Sequence, residues 1–544
     1  MTPKLKLVLA ATLAVFASTA QGNSELREGP SLNGIIDEGM NHSQVMATAA
    51  WLTDRIGARL TNSPQMREAQ QWTQARFVEW GLTDVHAEAF DFGRGWSIDH
   101  ASARMLSPRV LPLTTIPIAW TPATDGPIRA GIVVAPLADP RDFDRWQGKL
   151  RGKIVLVTQP EAAPPSTELP FKRLTDDELR QLDVFEAPEH DHGEFARSVE
   201  RRLFAERLDA FLAAEGAIAW VRMSRRDGLV HGDIGAGAGF QVGHTRRVPG
   251  VEMAANDYLR LARLAGSGAS VTLELDVAVR FHDEDHNAYN IIANVAGRDA
   301  KAGYVMAGAH LDSWVAADGA VDNGAGVAVV MEAARILAKL GVKPKRTIRF
   351  ALWAAEEQGG LGSLAYIERH LAVRPAQTVP GAAHAWGWST RFPVQPRPGF
   401  SQLAGYFNLD AGSGRIRGIH AENNFDVMPI FREWLAPFAS MGASTVVVQS
   451  LGGSDHVDFQ SLGLPAFQFI QEPLDYFSRL HHSNLDTYDH LVSGELRQNA
   501  VILAAILLMA AERDAALPRK PLPTPPADTD PFTPVNPPGS RSDE

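Results

Sequence analysis

The chain has 544 residues, of which 45% are hydrophobic and 21% charged, so it can bury sizeable cores and is long enough for two or three domains. Its formal net charge of −11 argues against a nucleic-acid partner, because phosphates require a basic surface. The absence of cysteine excludes disulfides, thiol chemistry and a lipid-anchoring cysteine. These features predict a soluble globular protein.

The first twenty residues (1–20) predict a secretory signal peptide. Lys4 and Lys6 precede an apolar run at 7–17, and small residues follow it. The run is too short to span a membrane. We therefore expect export to the periplasm or the medium. A second apolar run, AVILAAILLMAA at 500–511, has the length of a buried helix, so no membrane association is expected after signal cleavage.

The next part of the chain changes from a helical to a β-like pattern. Residues 24–95 carry apolar residues at helical spacing, interrupted at 57–64, which predicts two helices joined by a turn. From 105 onward, runs such as AGIVVAPL are punctuated by proline and glycine, and a helix is predicted at 203–215. We assign residues 105–280 to an inserted β-rich domain.

Strand-like and helix-like runs then alternate, which is typical of an α/β sheet covered on both faces. The predicted strands are 289–297, 304–312, 346–357, 403–410, 444–450 and 465–471. The predicted helices are 324–340, 361–371, 426–439 and 493–513. We expect a doubly wound mixed sheet built from 24–104 and 281–516, followed by a proline-rich disordered tail at 517–544.

Potential metal ligands follow four of these strands. Because the ligand crevice of an open α/β sheet lies beyond the carboxyl ends of its strands, we expect these side chains to meet. The side chains are those of His310 and Asp312, Glu356 and Glu357, Asp410, and the segment HHSNLDT at 481–487.

Three carboxylates and two imidazoles, without sulfur, suit two zinc ions or similar metals about 3.5 to 4 Å apart. Asp322 is the expected bridge, because the glycines of DNGAG let the backbone turn tightly around it. The remaining positive charge would stabilise a metal-bound hydroxide, which favours hydrolysis. One glutamate of the adjacent pair could move the proton of the water while the other binds metal.

Each feature also has an ordinary structural explanation. A single histidine at a strand end is usually a hydrogen-bonded residue, adjacent glutamates are usually solvated, and DNG is usually a turn. Only the joint occurrence of these features, in order and at consecutive strand ends, distinguishes a metal site from these alternatives.

The motifs GAHLDSW, DNGAG, RTIRFALWAAEEQGGLGS, NLDAGSG, GGSDHVDF and LHHSNLDTYD resemble the co-catalytic zinc aminopeptidase family, and most closely its carboxypeptidase Q branch. The resemblance includes DRIGARLTNSP near the start. LRGKIVLV at 150–157 resembles the protease-associated domain inserted in several members of the family. The likeness covers nearly the whole chain outside the signal and the tail.

The resemblance implies a role for each matching residue. Glu356 would be the general base, and Asp312 would bind the far nitrogen of His310 and fix its tautomer. Two zinc ions per chain would be held by His310 and Asp410, by Glu357 and His482, and by the bridging Asp322.

Four residues near the ligand motifs, His481, His482, Asp455 and Tyr476, have alternative interpretations. Adjacent side chains of an extended segment point to opposite sides, so one metal cannot easily bind both His481 and His482. The family pattern selects His482, which leaves His481 packed behind the site. Asp455 is expected to cap the following helix. Tyr476 could reach the oxyanion, but a buried aromatic is the favoured interpretation.

The sequence therefore predicts an exported zinc-dependent exopeptidase that hydrolyses dipeptides or short peptides. The alternatives are an aminopeptidase acting on longer peptides and a non-catalytic, receptor-like binding module, which would require missing ligands. A serine hydrolase is disfavoured because no G-x-S-x-G elbow follows a strand. The resemblance also implies a homodimer. The residue that recognises a free peptide terminus is not identifiable from sequence.

Overall fold

A computed structural model describes residues 31–162, 169–185, 194–225, 230 and 239–525. The predicted signal peptide at 1–20 and the tail beyond 525 lie outside these residues. The helices are α1 (Leu32–Asn41), α2 (Val45–Ala50), α3 (Pro64–Glu79), α4 (Phe143–Trp146), α5 (Asp176–Gln181), α6 (Glu194–Glu215), α7 (Ala255–Gly266), α8 (Ala325–Lys339), α9 (Leu361–His370), α10 (Met428–Leu435), α11 (Val457–Gln460) and α12 (Ser493–Glu512).

The strands belong to two large sheets and one short two-stranded antiparallel sheet. They are β1 (Thr83–Asp91), β2 (Gly95–Ser107), β3 (Leu111–Pro112), β4 (Thr115–Pro117), β5 (Ile128–Val134), β6 (Ile154–Leu156), β7 (Ala219–Met223), β8 (Gly250–Met253), β9 (Thr272–His282), β10 (Asn287–Val295), β11 (Tyr304–His310), β12 (Thr347–Trp353), β13 (Ala372–Val373), β14 (Gln395–Pro396), β15 (Leu403–Asn408), β16 (Ile416–His420), β17 (Thr445–Val447) and β18 (Ala466–Gln471).

The first large sheet has the order β1-β10-β12-β11-β15-β18-β16-β17. Its central strands β12, β11, β15 and β18 are parallel, whereas β10 and β16 pair antiparallel with their central neighbours. Alternate residues of β11 enter two separate cores: Val305 packs in the core that includes α8 and α12, and Met306 in the core that includes α9. The predicted mixed sheet with helices on both faces is confirmed.

The second large sheet has the order β3-β2-β9-β5-β6-β7-β8-β4. It begins at Gly95 and ends at His282, so both of its outer limits lie beyond the predicted boundaries of 105 and 280. The reason is that β2 and β9 pair antiparallel from Gly95 opposite His282 to Ser107 opposite Thr272. The strand that enters this sheet and the strand that leaves it therefore belong to the same domain.

Residues 83–91 were expected to be helical, but they form strand β1, which pairs antiparallel with β10. Between β1 and β2 the chain passes very close to its neighbours. A Cβ on Gly95 would lie 2.1 Å from the carbonyl oxygen of Asn62, and one on Gly93 would lie 2.2 Å from that of Phe240. Only glycine permits such an approach at the junction of the two sheets.

Other differences concern single elements. Helix α6 begins at Glu194 rather than at 203, and strand β16 was not predicted. The start of the tail is ordered rather than disordered: Leu517 is 3% exposed and its backbone N–H donates to the carbonyl oxygen of Ala404. A proline-rich segment can thus dock through one apolar side chain and backbone hydrogen bonds.

Within the described residues, α12 is the one helix long and apolar enough to cross a membrane, and 83% of its most apolar window is buried inside the fold. Its side chains from Ala500 to Leu508 belong to the core of the first sheet. The length and burial of α12 agree with the buried helix that the apolar run predicts.

Candidate metal centre

The first group of predicted ligands meets at the carboxyl end of β11. His310 is the last residue of that strand and is 1% exposed. Its Nε2 atom lies 3.3 Å from Asp322 Oδ1 and 3.4 Å from Asp410 Oδ1. Asp410 follows the end of the neighbouring parallel strand β15, so adjacent strand ends supply the imidazole and one carboxylate.

The second group meets on the other side of Asp322. His482 Nε2 lies 2.9 Å from Glu357 Oε2 and 3.4 Å from Asp322 Oδ2. The two oxygens of Asp322 therefore face two different histidines, His310 through Oδ1 and His482 through Oδ2. The structure brings all five predicted ligands together around one carboxylate.

Two oxygen atoms in this cluster fit a bound cation. Asp322 Oδ2 and Glu357 Oε1 are buried and make no hydrogen bond within the described residues. Burying a carboxylate oxygen costs free energy unless a hydrogen-bond donor or a cation replaces the water that solvated it. Two groups of potential ligand atoms share Asp322, one with His310 and Asp410 and the other with His481 and His482. Nitrogen and oxygen ligands without sulfur suit zinc.

The pKa values of residues in the cluster also indicate a site for cations. Burial, and then neighbouring carboxylates such as Asp322, raise the pKa of Glu357 well above its usual range. Burial opposes a raised pKa at His310, but the Asp410 and Asp322 carboxylates outweigh it, and the pKa rises well above its usual value. The cluster thus holds excess negative charge that protons or cations must balance.

The DNGAG segment is built differently from the expected tight turn. Gly324 has an ordinary helical φ of −55°. The glycines are needed for space: a Cβ on Gly324 would lie 2.7 Å from the carbonyl oxygen of Gly319, and one on Gly326 would lie 2.4 Å from that of Leu409. Close packing against the loop of Asp410, rather than turn geometry, explains the glycine at 326.

Asp312 makes different contacts from those predicted. The Nδ1 atom of His310 lies 3.0 Å from the backbone carbonyl oxygen of Asp312, whereas the carboxylate Oδ1 is 3.8 Å away. The carboxylate instead accepts the backbone N–H groups of Glu356 and Glu357, each at 3.3 Å, and the hydroxyl of Thr61 at 3.2 Å. The main chain thus contacts the far nitrogen of His310, and the side chain of Asp312 positions the glutamate pair.

The two neighbouring histidines also differ from prediction. Their rings stack with centroids 3.7 Å apart and planes 22° apart. The segment is not extended, because His482 has a left-handed φ of 59°, so both rings lie on the same side. The His481 side chain is 39% exposed and its Nε2 lies 3.8 Å from Asp322 Oδ2. His481 therefore faces the site instead of packing behind it.

Asp455 does not cap the following helix. The N-cap of α11 is His456, and no side chain caps that helix. Asp455 is 2% exposed, and its burial, reinforced by the nearby Asp410 carboxylate, raises its pKa to about 8. Tyr476 is buried, as favoured from sequence, and its ring meets His481 edge-on with centroids 5.2 Å apart.

Sequence reasoning gave no role to two buried residues beside the cluster. Asp486 accepts the backbone N–H groups of Val321 and Asp322, and Arg59 donates to backbone carbonyls of the loop that precedes Asp322. Asp486 lies in the motif HHSNLDT, and Arg59 lies in the motif DRIGARLTNSP. Their hydrogen-bond partners are backbone atoms, which every residue has, so no sequence pattern indicates these contacts.

An open cleft of about 1400 Å³ leads to the cluster. Glu357, His481 and His482 line it from the first sheet, and Arg222 and Phe240 line it from the second domain. Residues of both large sheets or their loops therefore line this cleft, and Glu357 and His482 are the two predicted ligands exposed to it.

Residues 290–507 match the family model described as peptidase family M28. Carboxypeptidase Q of Rattus norvegicus is 24% identical over 470 residues, which cover 86% of this chain and 85% of that protein. Leupeptin-inactivating enzyme 1 of Streptomyces exfoliatus is 27% identical over 267 residues, or 46% of this chain and 53% of that protein.

Solved structures agree with these matches. A peptidase M28 precursor from Shewanella amazonensis has a TM-score of 0.62 and 25% identity, with 91% of this chain and 98% of that chain covered. A zinc aminopeptidase from Bacillus subtilis has the same fold, with a TM-score of 0.54, 18% identity, and coverage of 87% and 95%. With the motifs and the strand-end cluster, these matches support a zinc peptidase related to family M28, whose model residues 290–507 match.

Proposed function

We propose that this zinc exopeptidase hydrolyses dipeptides or short peptides with two zinc ions per chain. One observation carries the proposal: each oxygen of the Asp322 carboxylate faces a different histidine, His310 on one side and His482 on the other. A carboxylate placed in this way can bridge two cations. His310 and Asp410 would hold one zinc, and Glu357 and His482 the other.

Two zinc ions bound here would supply Lewis acidity, which polarises a peptide carbonyl and lowers the pKa of a water molecule. The chain supplies the proton transfers. We assign the general base to Glu356, whose backbone N–H is fixed by Asp312 Oδ1 at 3.3 Å. Burial raises the pKa of Glu356 well above its usual range, which suits a carboxylate that accepts a proton from water and returns it to the leaving amine.

The proposed substrate class follows from the cleft. It is lined by apolar side chains such as Leu361 and Phe240, by the arginines Arg222 and Arg397, and by acids that include Glu368. Such walls can bind the side chains and charged termini of a short peptide. Carboxypeptidase Q is the name of the relatives that cover most of the chain, which favours an exopeptidase.

The second candidate is an aminopeptidase that acts on longer peptides. The same open cleft favours it, because a volume of about 1400 Å³ could accommodate several residues. A non-catalytic binding module would need to lack metal ligands, and here all five predicted ligands and Glu356 are present.

We further propose that the second sheet is the protease-associated domain implied by LRGKIVLV, whose residues Ile154–Leu156 form strand β6 inside that sheet. Export to the periplasm or the medium is proposed from residues 1–20, without membrane association of the mature chain. A homodimer is proposed from the family resemblance.

The experiment that tests the function is a metal analysis combined with a peptide panel. Purified mature protein should contain about two zinc ions and should hydrolyse unblocked dipeptides. Peptides blocked at either the amino or the carboxyl terminus then distinguish the two exopeptidase classes. Activity on amino-blocked but not on carboxyl-blocked peptides would contradict the aminopeptidase alternative, and the converse pattern would favour it.

A further inference from the structure

The loop between His310 and Asp322 carries ligands at both ends but little regular structure. Residues 311–319 form neither helix nor strand, and a single π-helical turn, Ala320–Gly324, follows. Since this loop has no ladder of backbone hydrogen bonds, other side chains must fix its path. Two buried side chains do so, Arg59 and Asp486.

Arg59 is fully buried, and all three nitrogen atoms of its guanidinium donate to backbone carbonyls. Nε donates to Leu311 at 2.8 Å, and Nη2 donates to Gly319 at 2.8 Å. Nη1 donates to Asp318 at 2.7 Å. The guanidinium thereby fixes the loop directly after His310 and again shortly before Asp322.

The remaining contacts tie the same arginine to the first helical region. Nη1 also donates to the carbonyl oxygens of Leu52 at 3.1 Å and Gly57 at 3.0 Å. The backbone N–H of Arg59 donates to Ser313 Oγ at 3.0 Å. The DRIGARLTNSP motif therefore serves as a rigid base to which the ligand loop is attached.

Asp486 holds the other end of the loop through its N–H groups. Its Oδ1 accepts the backbone N–H of Val321 at 2.6 Å, and its Oδ2 accepts that of Asp322 at 3.0 Å. Asp486 is 3% exposed and lies four residues after His482 in the chain. One carboxylate thus links the segment of His482 to the backbone of the bridging residue.

We infer that Arg59 and Asp486 form a clamp of positioning residues that sets the affinity of the site for its two metals. The inference rests on the proposed function, because it assumes the two-zinc site bridged by Asp322. The clamp holds carbonyl oxygens on one side of the loop and N–H groups on the other. It thereby keeps the Asp322 carboxylate between the two histidines. The contacts described for both residues are with the chain itself, so both are positioning residues.

The test compares two clamp variants with two matched controls. Asp486→Asn preserves shape but presents an NH2 group to one of the two N–H donors, and Arg59→Lys keeps the charge but loses the fork of donors. Arg346→Lys is the control for Arg59, since Arg346 is buried and also donates to backbone carbonyls, those of Ala302 and Asp514 among them.

Asp209→Asn is the control for Asp486. Asp209 is buried in α6 of the second domain, and its carboxylate likewise accepts two backbone N–H groups, those of Arg247 and Val248. The control variants lose the same kinds of hydrogen bond as the clamp variants, at positions that do not contact the ligand loop.

The measured quantity is the zinc dissociation constant of metal-free protein, obtained by competition with a coloured chelator, together with the visible spectrum of the cobalt-loaded protein. The clamp variants should bind the weaker metal about 10 to 100 times less tightly and should change the cobalt spectrum. The control variants should lose thermal stability only. If Arg59→Lys does not fold, the zinc affinity of Asp486→Asn tests the inference by itself.

Either of two results would overturn the inference. In the first, the clamp variants bind both zinc ions with wild-type dissociation constants. In the second, the control variants lose as much zinc affinity as the clamp variants. Wild-type protein that binds no zinc would instead contradict the proposed function, and the clamp with it. If the wild-type protein binds two zinc ions, the proposed function is supported independently of the variants, and the variants then test the clamp alone.

Discussion

His481 and His482 stack face to face on the same side of the chain, with ring centroids 3.7 Å apart, and both rings face the Asp322 carboxylate. His482 Nε2 lies 2.9 Å from Glu357 Oε2 and 3.4 Å from Asp322 Oδ2, whereas His481 Nε2 lies 3.8 Å from Asp322 Oδ2. The family pattern and the shorter contacts of His482 both favour His482 as the ligand.

We therefore expect His482→Ala to lower zinc content toward one ion per chain and to abolish turnover. His481→Ala should retain both ions and lose less activity, because Glu357, Asp322 and His482 remain. Zinc analysis and turnover measured on both variants check this. Loss of the second zinc from His481→Ala with its retention by His482→Ala would reverse the assignment.

Removal of metal should abolish activity. Dialysis against a chelator is expected to strip about two zinc ions and to eliminate peptide hydrolysis, and added zinc should restore it. Elemental analysis before and after dialysis, paired with turnover, provides the measurement. A metal-free preparation that retained full activity would be incompatible with the proposed chemistry.

The adjacent glutamates should separate into a base and a ligand. Glu356→Gln is expected to keep both zincs and to lose about 10² to 10⁴ in rate, because the amide cannot accept a proton. Glu357→Gln should instead weaken the zinc shared with His482. Zinc content distinguishes the two variants, and near wild-type turnover in Glu356→Gln would refute its role as the base.

Asp458 provides a test of pH-dependent stability outside the site. Burial raises its pKa from 3.8 to about 6, although Arg374 acts in the opposite direction. A carboxyl group with a raised folded pKa costs stability as pH rises from about 4 to 6, and the cost persists above that range. Asp458→Asn should therefore stabilise the protein at pH 7.

Because the Asp458 side chain is partly exposed, the expected gain is about 1 to 2 kcal/mol in the free energy of unfolding. The gain should vanish near pH 3, where the carboxyl is protonated in both the folded and the unfolded state. Denaturant unfolding of both proteins at the two pH values measures it, and an equal difference at both would contradict the assignment.

The docked start of the tail predicts a packing effect. Leu517 is 3% exposed and packs against Gly405 of strand β15. Leu517→Ala should lower the free energy of unfolding by about 2 to 5 kcal/mol, the usual cost of truncating a buried leucine. Leu522 is 40% exposed and is the matched control, with an expected change within about 0.5 kcal/mol.

The meeting of the five predicted ligands at one edge of the sheet could be expected from sequence, because the signal of each is local. Apolar strands that end in His310 and shortly before Asp410 place those side chains at one edge of a parallel sheet whatever the details of the loops. The order of the motifs then indicates that they meet. The same reasoning found the alternating strands and helices from 289 onward.

The predictions that failed depend on distant backbone atoms or on single dihedral angles. The orientation of His481 follows from the left-handed φ of His482, which no pattern of apolar residues encodes. The start of the second sheet at Gly95 follows from the pairing of β2 with β9, strands far apart in sequence. The sequence does not indicate the role of Arg59, because its partners are backbone carbonyl groups, which every residue possesses.

The cleft joins two sheets that are encoded by separate parts of the chain. The predicted metal ligands come from the strand ends of the first sheet and from its loops, whereas Arg222 and Phe240 come from the segment between Gly95 and His282. Changes in the inserted segment can therefore alter the size and charge of the accepted peptide while the hydrolytic residues stay unchanged. Substrate range and chemistry can evolve independently in this architecture, through exchange of one wall of the cleft.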